Sequence, residues 1–265
     1  KANRFDEPLK FDHPQNYEEG IALVAEKIKS LSGDTPIEAA GGGVAGPVDS
    51  EHTMLINSPN LPDWAGKPIV QDLSALLGCP VHMRNDTAIV GLGEAHHGAG
   101  KGDEVMVYIT VSTGVGGTRI VDGHIDRGVH NFEPGHQIID FDKSACPECY
   151  SVVAQDYLSG TATEHRFHKK AYEVEQDSEV WEQLSRWLAF MLNNTIVHWA
   201  PNSVVLGGSM IVGDPAIPVD RVREHLDEIL CIYPDKPIIK KAKLEDMGGL
   251  YGAMTYVNQQ MQKGK

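Results

Sequence analysis

Three times along the chain a short apolar or β-branched run stops at a cluster of glycines. Ile37–Ala40 runs into Gly41-Gly42-Gly43, Glu104–Val111 into Ser112–Gly117, and Val204–Leu206 into Gly207-Gly208-Ser209. Short runs of this kind read as buried strands. Glycine after them allows a tight turn and lets backbone N–H groups approach a ligand closely. Helical patterns lie between the runs. Asn16 can cap a helix, with Glu19 at the capping-box position, Ile21, Val24, Ile28 and Leu31 at helical spacing, and Gly33 as the stop. Pro68-Ile69-Val70 leads into a short helix, Asp72–Leu77, and Val81-His82-Met83 reads as the next strand. After Asn85-Asp86 comes a helix of small residues, AIVGLGEAHHGAG. Arg119-Ile120-Val121 with Asp122-Gly123 reads as the far arm of a hairpin. Ser178 can cap a long helix through Trp181, Leu184, Leu188, Met191 and Ile196. A helix from about Pro218 to Leu230 and a last one after Gly248-Gly249 complete the pattern. Strands and helices alternate without a fixed-period repeat, which predicts an α/β protein. Open sheets of that class bind ligands at the strand ends where these glycines sit.

The net charge of −14 and the lack of a basic run point away from a nucleic-acid partner. No apolar run approaches the ~20 residues of a membrane span. Four cysteines in 265 residues are too few for a stapled secreted domain, so a reducing cytoplasm is the expected setting. Cys79 and Cys231 read as buried apolar residues. The chain opens on Lys1 rather than Met, which reads as a fragment or a processed form.

Four motifs carry candidate chemistry. Asn85-Asp86 stands between a strand and a helix, where it can cap the helix, and where Asp86 can act as a general base on a hydroxyl. Ser112–Gly117 (STGVGG) is either a plain hairpin turn or a phosphate cradle. It is neither a Walker A loop nor the dinucleotide fingerprint. Gly207-Gly208-Ser209 is a second candidate phosphate turn. In EPGHQIIDFDKSACPEC, Glu133 can accept from ligand hydroxyls, and His136, Cys146 and Cys149 are ligand types that suit Zn²⁺. A structural zinc wants a fourth ligand, and free thiols in a loop are the other reading. His96-His97 reads as packing or surface rather than metal.

Taken in order, these pieces resemble the ROK family of sugar kinases and related repressors along nearly the whole chain. GGGVAGPVDS is similar to the family's Gly-x-x-Gly-Pro-Val segment, SPNLPDWAGKPI to its Pro-Asn-Leu-x-x-Trp stretch, and NDTAIVGLGEAHHGAGKG to its Asn-Asp-Ala stretch. VSTGVGG, EPGH, VVLGGS and GGLYGA follow in the family's order. The resemblance implies a two-lobed, actin-like ATPase (ribonuclease H-like) fold. The small N-terminal lobe would span 1–101, joined by the last helix, 248–265, and the large lobe 102–247 would carry the zinc-type loop. The implied reaction is ATP-dependent phosphorylation of a hexose hydroxyl, with Mg²⁺. Asp86 would be the catalytic base, and Asn85, Glu133, His136 and Gln155 would contact sugar. Thr113, Gly114, Gly116, Gly207 and Gly208 would lie near ATP. His136 would serve both zinc and sugar, its ring held by the metal in one orientation. A homo-oligomer, such as a dimer, would be the assembly.

Three departures qualify the expectation. The family's opening Asp-x-Gly-Gly-Thr phosphate loop is not in the sequence, so the N-terminal lobe reads as incomplete and the chain as given as impaired with ATP. A non-catalytic, sugar-binding or interaction protein of the same fold is the alternative. The family's next cysteine falls near Val153 and its sugar-binding Glu near Gln155, leaving three zinc ligands. No helix-turn-helix precedes the core, which points away from the repressor branch.

Overall fold

The computed structural model of the chain describes residues 5, 7–58 and 61–263. Pro59 and Asn60 of the Pro-Asn-Leu stretch, and residues 1–4 and 6 of the polar opening, lie outside the described residues. Helix α1 spans Tyr17–Ser32, with the Asn16 side chain accepting from the Glu19 N–H at 3.0 Å. Gly33 ends it at φ +54°, a left-handed conformation that suits glycine.

Strand β1 is Ala40–Val44, so the glycine triplet is the strand itself and not a turn after it. Close packing explains why. A Cβ on Gly41 would stand 2.5 Å from Val257 Cγ2, and one on Gly43 2.7 Å from Asp86 Cα. Helix α2 (Ile69–Leu77) leads to β2 (Val81–Asn85), which pairs parallel to β1 from Ala40↔Val81 to Val44↔Asn85. Tyr17, Ile21, Leu55, Trp64, Ile69 and Met83 form the core of this region. Helix α3 (Asp86–His97) begins where β2 stops.

The larger sheet starts with β3 (Val105–Val111), β4 (Val115–Val121) and β5 (His124–Ile125). Val111 faces Val115 across the antiparallel pair. Only Ser112-Thr113-Gly114 therefore form the turn, and Gly116 and Gly117 already belong to β4. Helices α4 (Gln155–Leu158), α5 (Gly160–Phe167) and α6 (Glu179–Trp199) make the crossover to β6 (Ser203–Gly207). Then follow α7 (Ser209–Val212), α8 (Val219–Ile229), β7 (Ile238–Lys241) and α9 (Gly248–Lys263). The strand order is β5-β4-β3-β6-β7, with β3, β6 and β7 parallel.

Strand alternation gives the larger sheet two apolar faces. Met106 and Tyr108 turn toward Ile89 and Leu92 of α3 and Tyr256 of α9. Val107, Ile109, Val204 and Leu206 turn toward Trp181, Leu184, Leu188 and Met191 of α6 and Leu226 of α8. Each fully buried leucine of this set contributes about 1.5–3 kcal/mol relative to exposure. Helices α3 and α9 meet at backbone contact: a Cβ on Gly252 would lie 1.8 Å from the Ile89 carbonyl oxygen, and one on Gly93 2.3 Å from that of Gly248. Because α9 also lies on β1, these two helices form the layer between the sheets and fix where α3 begins. None of the described helices is long and apolar enough to cross a membrane.

Candidate active site

A cavity of about 440 Å³ opens at the C-terminal ends of β2 and β3. Asp86, the first residue of α3, projects into it. Asn85 holds this corner on both sides. Its Oδ1 accepts from the Ala88 N–H at 3.3 Å, and its Nδ2 donates to the Gly46 carbonyl at 3.0 Å. The cap and the candidate base are therefore one local structure, and the second bond brings the Ala45–Pro47 loop to the cavity wall. Ser58, itself on the cavity wall, ties that loop by donating to the Ala45 carbonyl at 2.9 Å.

The opposite wall is the β3–β4 turn with Glu133 and Gln155. Thr113, Gly114 and Gly116 line the cavity. Gln155 Oε1 accepts from the Val115 N–H at 3.1 Å, which fixes the amide against the turn. Glu133 is placed by Gly135. A Cβ there would come within 2.2 Å of the Val115 carbonyl, so only glycine lets the Pro134–His136 turn sit against the start of β4.

Both carboxylates that face the cavity are raised above the ordinary range. Burial pushes Asp86 up, opposed by hydrogen bonds from backbone N–H groups and the Asn85 amide. Asp86 keeps an exposed surface in the cleft, yet the protein packed around the cleft displaces much of its surrounding water, and that sets the direction. Burial also raises Glu133; nearby His136 pulls it down, and the negative charge of Asp86 pushes it further up. Neither forms an ion pair among the described residues. A carboxyl group whose proton affinity is raised in a partly dry site is suited to taking a proton from a bound hydroxyl. The Tyr108 hydroxyl, also at the cavity, is pushed up to about 12, chiefly by burial, and stays protonated as a donor.

Asp86, Asn85, Glu133, Gln155, Thr113, Gly114 and Gly116 thus share one cavity. Other residues named from sequence do not. His136 faces outward and does not line it. Gly207 and Gly208 pack against β3 instead. A Cβ on Gly207 would meet the Tyr108 hydroxyl at 2.3 Å, and Gly208, at φ +87°, sits 2.3 Å in the same sense from the Val111 carbonyl. Ser112 and Ser209 hydroxyls, 3.0 Å apart, join that second turn to the first. Tyr108, Thr110, Thr87, Ser58 and Phe132 line the cavity as well and were missed. The available signal was the pair Tyr108 and Thr110, polar groups on one face of an otherwise apolar strand.

In this structure His136, Cys146 and Cys149 are not gathered as the zinc set that the sequence suggested. Among the described residues no three His, Cys, Asp or Glu side chains are grouped to hold a metal ion. Cys146 and Cys149 are joined in a disulfide, so neither sulfur is a thiolate. The Arg166 guanidinium lies against them, 3.2 Å from Cys149 Sγ and 3.9 Å from Cys146 Sγ, and donates to the Tyr157 carbonyl at 2.8 Å. Cys231 is exposed, not buried as expected, while Cys79 is buried. His96 donates to the Gly123 carbonyl at 2.7 Å and His97 pairs with the Thr255 hydroxyl at 3.1 Å, both as packing contacts.

Comparison with known proteins agrees with this architecture. The sequence profile of the ROK family matches residues 8–260. A fructokinase of Zymomonas mobilis is 31% identical over 212 residues, covering 75% of this chain and 69% of that protein. The crystal structure of a ROK hexokinase from Thermus thermophilus superposes with a TM-score of 0.78 at 25% identity, covering 94% of this chain and 90% of that one. A ROK family glucokinase from Streptomyces griseus, solved in complex with glucose and AMPPNP, gives a TM-score of 0.73 at 23% identity, covering 93% of this chain and 89% of that one.

Proposed function

The chain belongs to the ROK family, and on that premise we propose that it phosphorylates a hexose hydroxyl at the expense of ATP, with Asp86 as general base. The observation that carries this reading is the placement of Asp86. It is held by Asn85 at the end of a strand and the start of a helix, raised by burial, and faces a cavity with Glu133 and Gln155 opposite. A protein that only bound sugar would have no need of an unpaired carboxylate there.

The sugar would lie between the Ala45–Pro47 loop and Glu133. Asn85, Glu133 and Gln155 would fix its hydroxyls, so that one of them points at Asp86. Asp86 then takes that hydroxyl's proton as the oxygen attacks. The nucleotide would lie toward the Ser112–Gly114 turn, whose backbone N–H groups can meet phosphate oxygens. Glycine at 114 lets Gln155 close on this turn: a Cβ there would stand 2.9 Å from Gln155 Oε1. When bound, ATP supplies the phosphoryl group. Mg²⁺, which keeps waters and needs only one or two carboxylates beside phosphates, could be met here by Asp86 without a dedicated cage.

The fructokinase and glucokinase relatives leave fructose and glucose as the first substrates to try. The test couples ADP release to fructose, glucose and mannose in turn, with wild type and Asp86→Asn side by side. Hexose-dependent ADP release that the substitution abolishes supports the reading. Calorimetric hexose binding without nucleotide binding or turnover would replace it with the sugar-binding alternative.

A further inference from the structure

Behind the sugar side of the cleft lies a second, smaller pocket of about 20 Å³, bordered by Asn85 and Phe132 and separate from the main cavity. That volume holds one particle about the size of a water molecule and excludes polyatomic ions such as phosphate. Its polar wall is mostly donors, with one carboxylate, Asp126, turned to Arg119. The Arg84 guanidinium lies there, and its Nη1 touches His52 Nε2. Arginine only donates, so His52 Nε2 accepts and the ring proton is on Nδ1. His52 Nδ1, Asn131 Nδ2 and Thr118 Oγ1 are all buried and have no protein partner among the described residues. All three residues border this pocket. Arg84 itself enters no ion pair among the described residues. Its Nε donates to the Tyr256 hydroxyl at 2.8 Å, and its Cζ lies 5.3 Å from the Tyr256 ring centroid, neither of which neutralises it. Asp126, the carboxylate at the rim, is already paired with Arg119.

The residue that completes this wall is held in an uncommon backbone conformation. His52 sits at φ +57°, in the turn whose carboxylate, Asp49, accepts from the Thr53 and Met54 N–H groups at 2.6 and 2.9 Å. Such conformations persist where the surroundings enforce them, and here the enforced result is a histidine placed over Arg84.

We propose that this pocket binds a single chloride ion, held by the Arg84 guanidinium, the His52 Nδ1–H, the Asn131 side-chain amide and the Thr118 hydroxyl. A half-buried guanidinium with no ion pair among the described residues, facing three buried donors without partners, is left partly unsatisfied, and one monatomic anion meets both at once. A water molecule would satisfy the donors and leave the charge. The bound ion draws three segments together: the turn carrying His52, the end of β2 just before Asn85-Asp86, and the stretch from Gly128 to Phe132 that leads into Glu133. Chloride thereby becomes a structural ion for both walls of the sugar side, independent of the nucleotide.

The test uses the whole chain and two readouts that do not depend on turnover. Crystals grown with bromide in place of chloride are expected to show an anomalous peak in this pocket. An ordered water alone, or no density there, overturns the proposal. In solution, sodium chloride is expected to raise the Tm by about 2–4 °C over sodium methanesulfonate at equal ionic strength. Asn131→Asp places a tethered carboxylate at the same wall, and it is expected to abolish that chloride-specific rise while remaining folded. Arg84→Met should abolish it too if that variant folds. Equal Tm values in the two salts for wild type, or an undiminished chloride response in Asn131→Asp, overturns the assignment.

Discussion

Asp86 opens α3, and Glu182 stands in the first turn of α6, so both carboxylates lie where a helix dipole favours negative charge. They are nonetheless displaced in opposite directions. Glu182 meets Arg221 through two contacts of 2.6 and 2.8 Å and His225 at 2.8 Å, and its carboxyl is lowered to about 2, with Arg221 as the main cause. Asp86 pairs with no cation among the described residues, and burial raises it despite its N–H donors. The helix terminus is common to both, so it does not decide the outcome; the presence of a cation and the access of water do. Glu182 is a carboxylate arranged for staying charged. Asp86, the proposed proton acceptor, is raised instead, so its charge weakens the folded state.

The largest effect is expected from removing that proton acceptor. Asp86→Asn should lower kcat by about 10²–10⁴-fold and remove the acid limb of the pH profile. In wild type that limb should lie above the ordinary aspartate range, because the carboxyl is raised. The sign for stability follows from linkage. A raised carboxyl favours the folded state below its unfolded pKa, and this advantage is lost as pH rises through the folded value. Ionising Asp86 therefore costs stability, and at pH values above the unfolded aspartate pKa Asp86→Asn should raise the Tm while it lowers activity. Parallel thermal melts and initial rates decide the matter; a variant less stable and equally active breaks the contrast with Glu182.

The position of Asp86 depends on α3 being seated on α9, and this can be disturbed at a distance. Gly252→Ala drives a Cβ into the Ile89 carbonyl and should cost about 1–3 kcal/mol by overpacking. Activity should fall with it as the start of α3 shifts, measurable as a lower denaturation midpoint and a reduced kcat/KM. Opposite Asp86, Glu133→Gln should act more narrowly, raising the KM for hexose by about tenfold, equivalent to about 1.4 kcal/mol. It should leave the nucleotide KM alone, since Glu133 lies on the sugar side in the proposed arrangement.

The sequence made some of this legible and hid the rest for physical reasons. Helices α1 and α6 announce themselves by Asn16 and Ser178 caps and helical spacing, and the structure has both caps in place. Strand β1 was misread as a turn because glycine has low strand propensity and the reason for it, contact with α9 and α3, is tertiary. Asn85, Asp86, Glu133 and Gln155 share one cavity because chain order places them at strand ends and adjoining turns. Gly207 and Gly208 pack closely against β3 in this structure, a tertiary contact that the sequence does not show. Spacing alone could not tell a metal loop from Cys146 and Cys149 joined to each other beside Arg166, whose position is set by a helix further along the chain. Tyr108 and Thr110 were hidden because one alternation pattern serves both core and cavity.

The smallest expected effect tests the other half of the comparison. Glu182 and Arg221 are both nearly half exposed, so water and salt screen their attraction. Although the carboxyl is lowered to about 2, the contribution to stability should be only about 0.5–1 kcal/mol once screening is allowed for. A lowered carboxyl stabilises the fold above its unfolded pKa, near 4.3, and loses that contribution as pH falls toward about 2. Glu182→Gln should therefore lower stability slightly at pH 7, and the difference from wild type should close between about pH 4 and pH 2. It should also shrink in 1 M salt, where screening reaches within about 3 Å. Urea titrations across pH and salt measure this directly, and the sign is opposite to that expected for Asp86→Asn in the same buffers. If Glu182→Gln stabilised the protein at neutral pH, the cation beside a first-turn carboxylate would not be what separates the two sites, and the account of Asp86 as a residue left without one would lose its control.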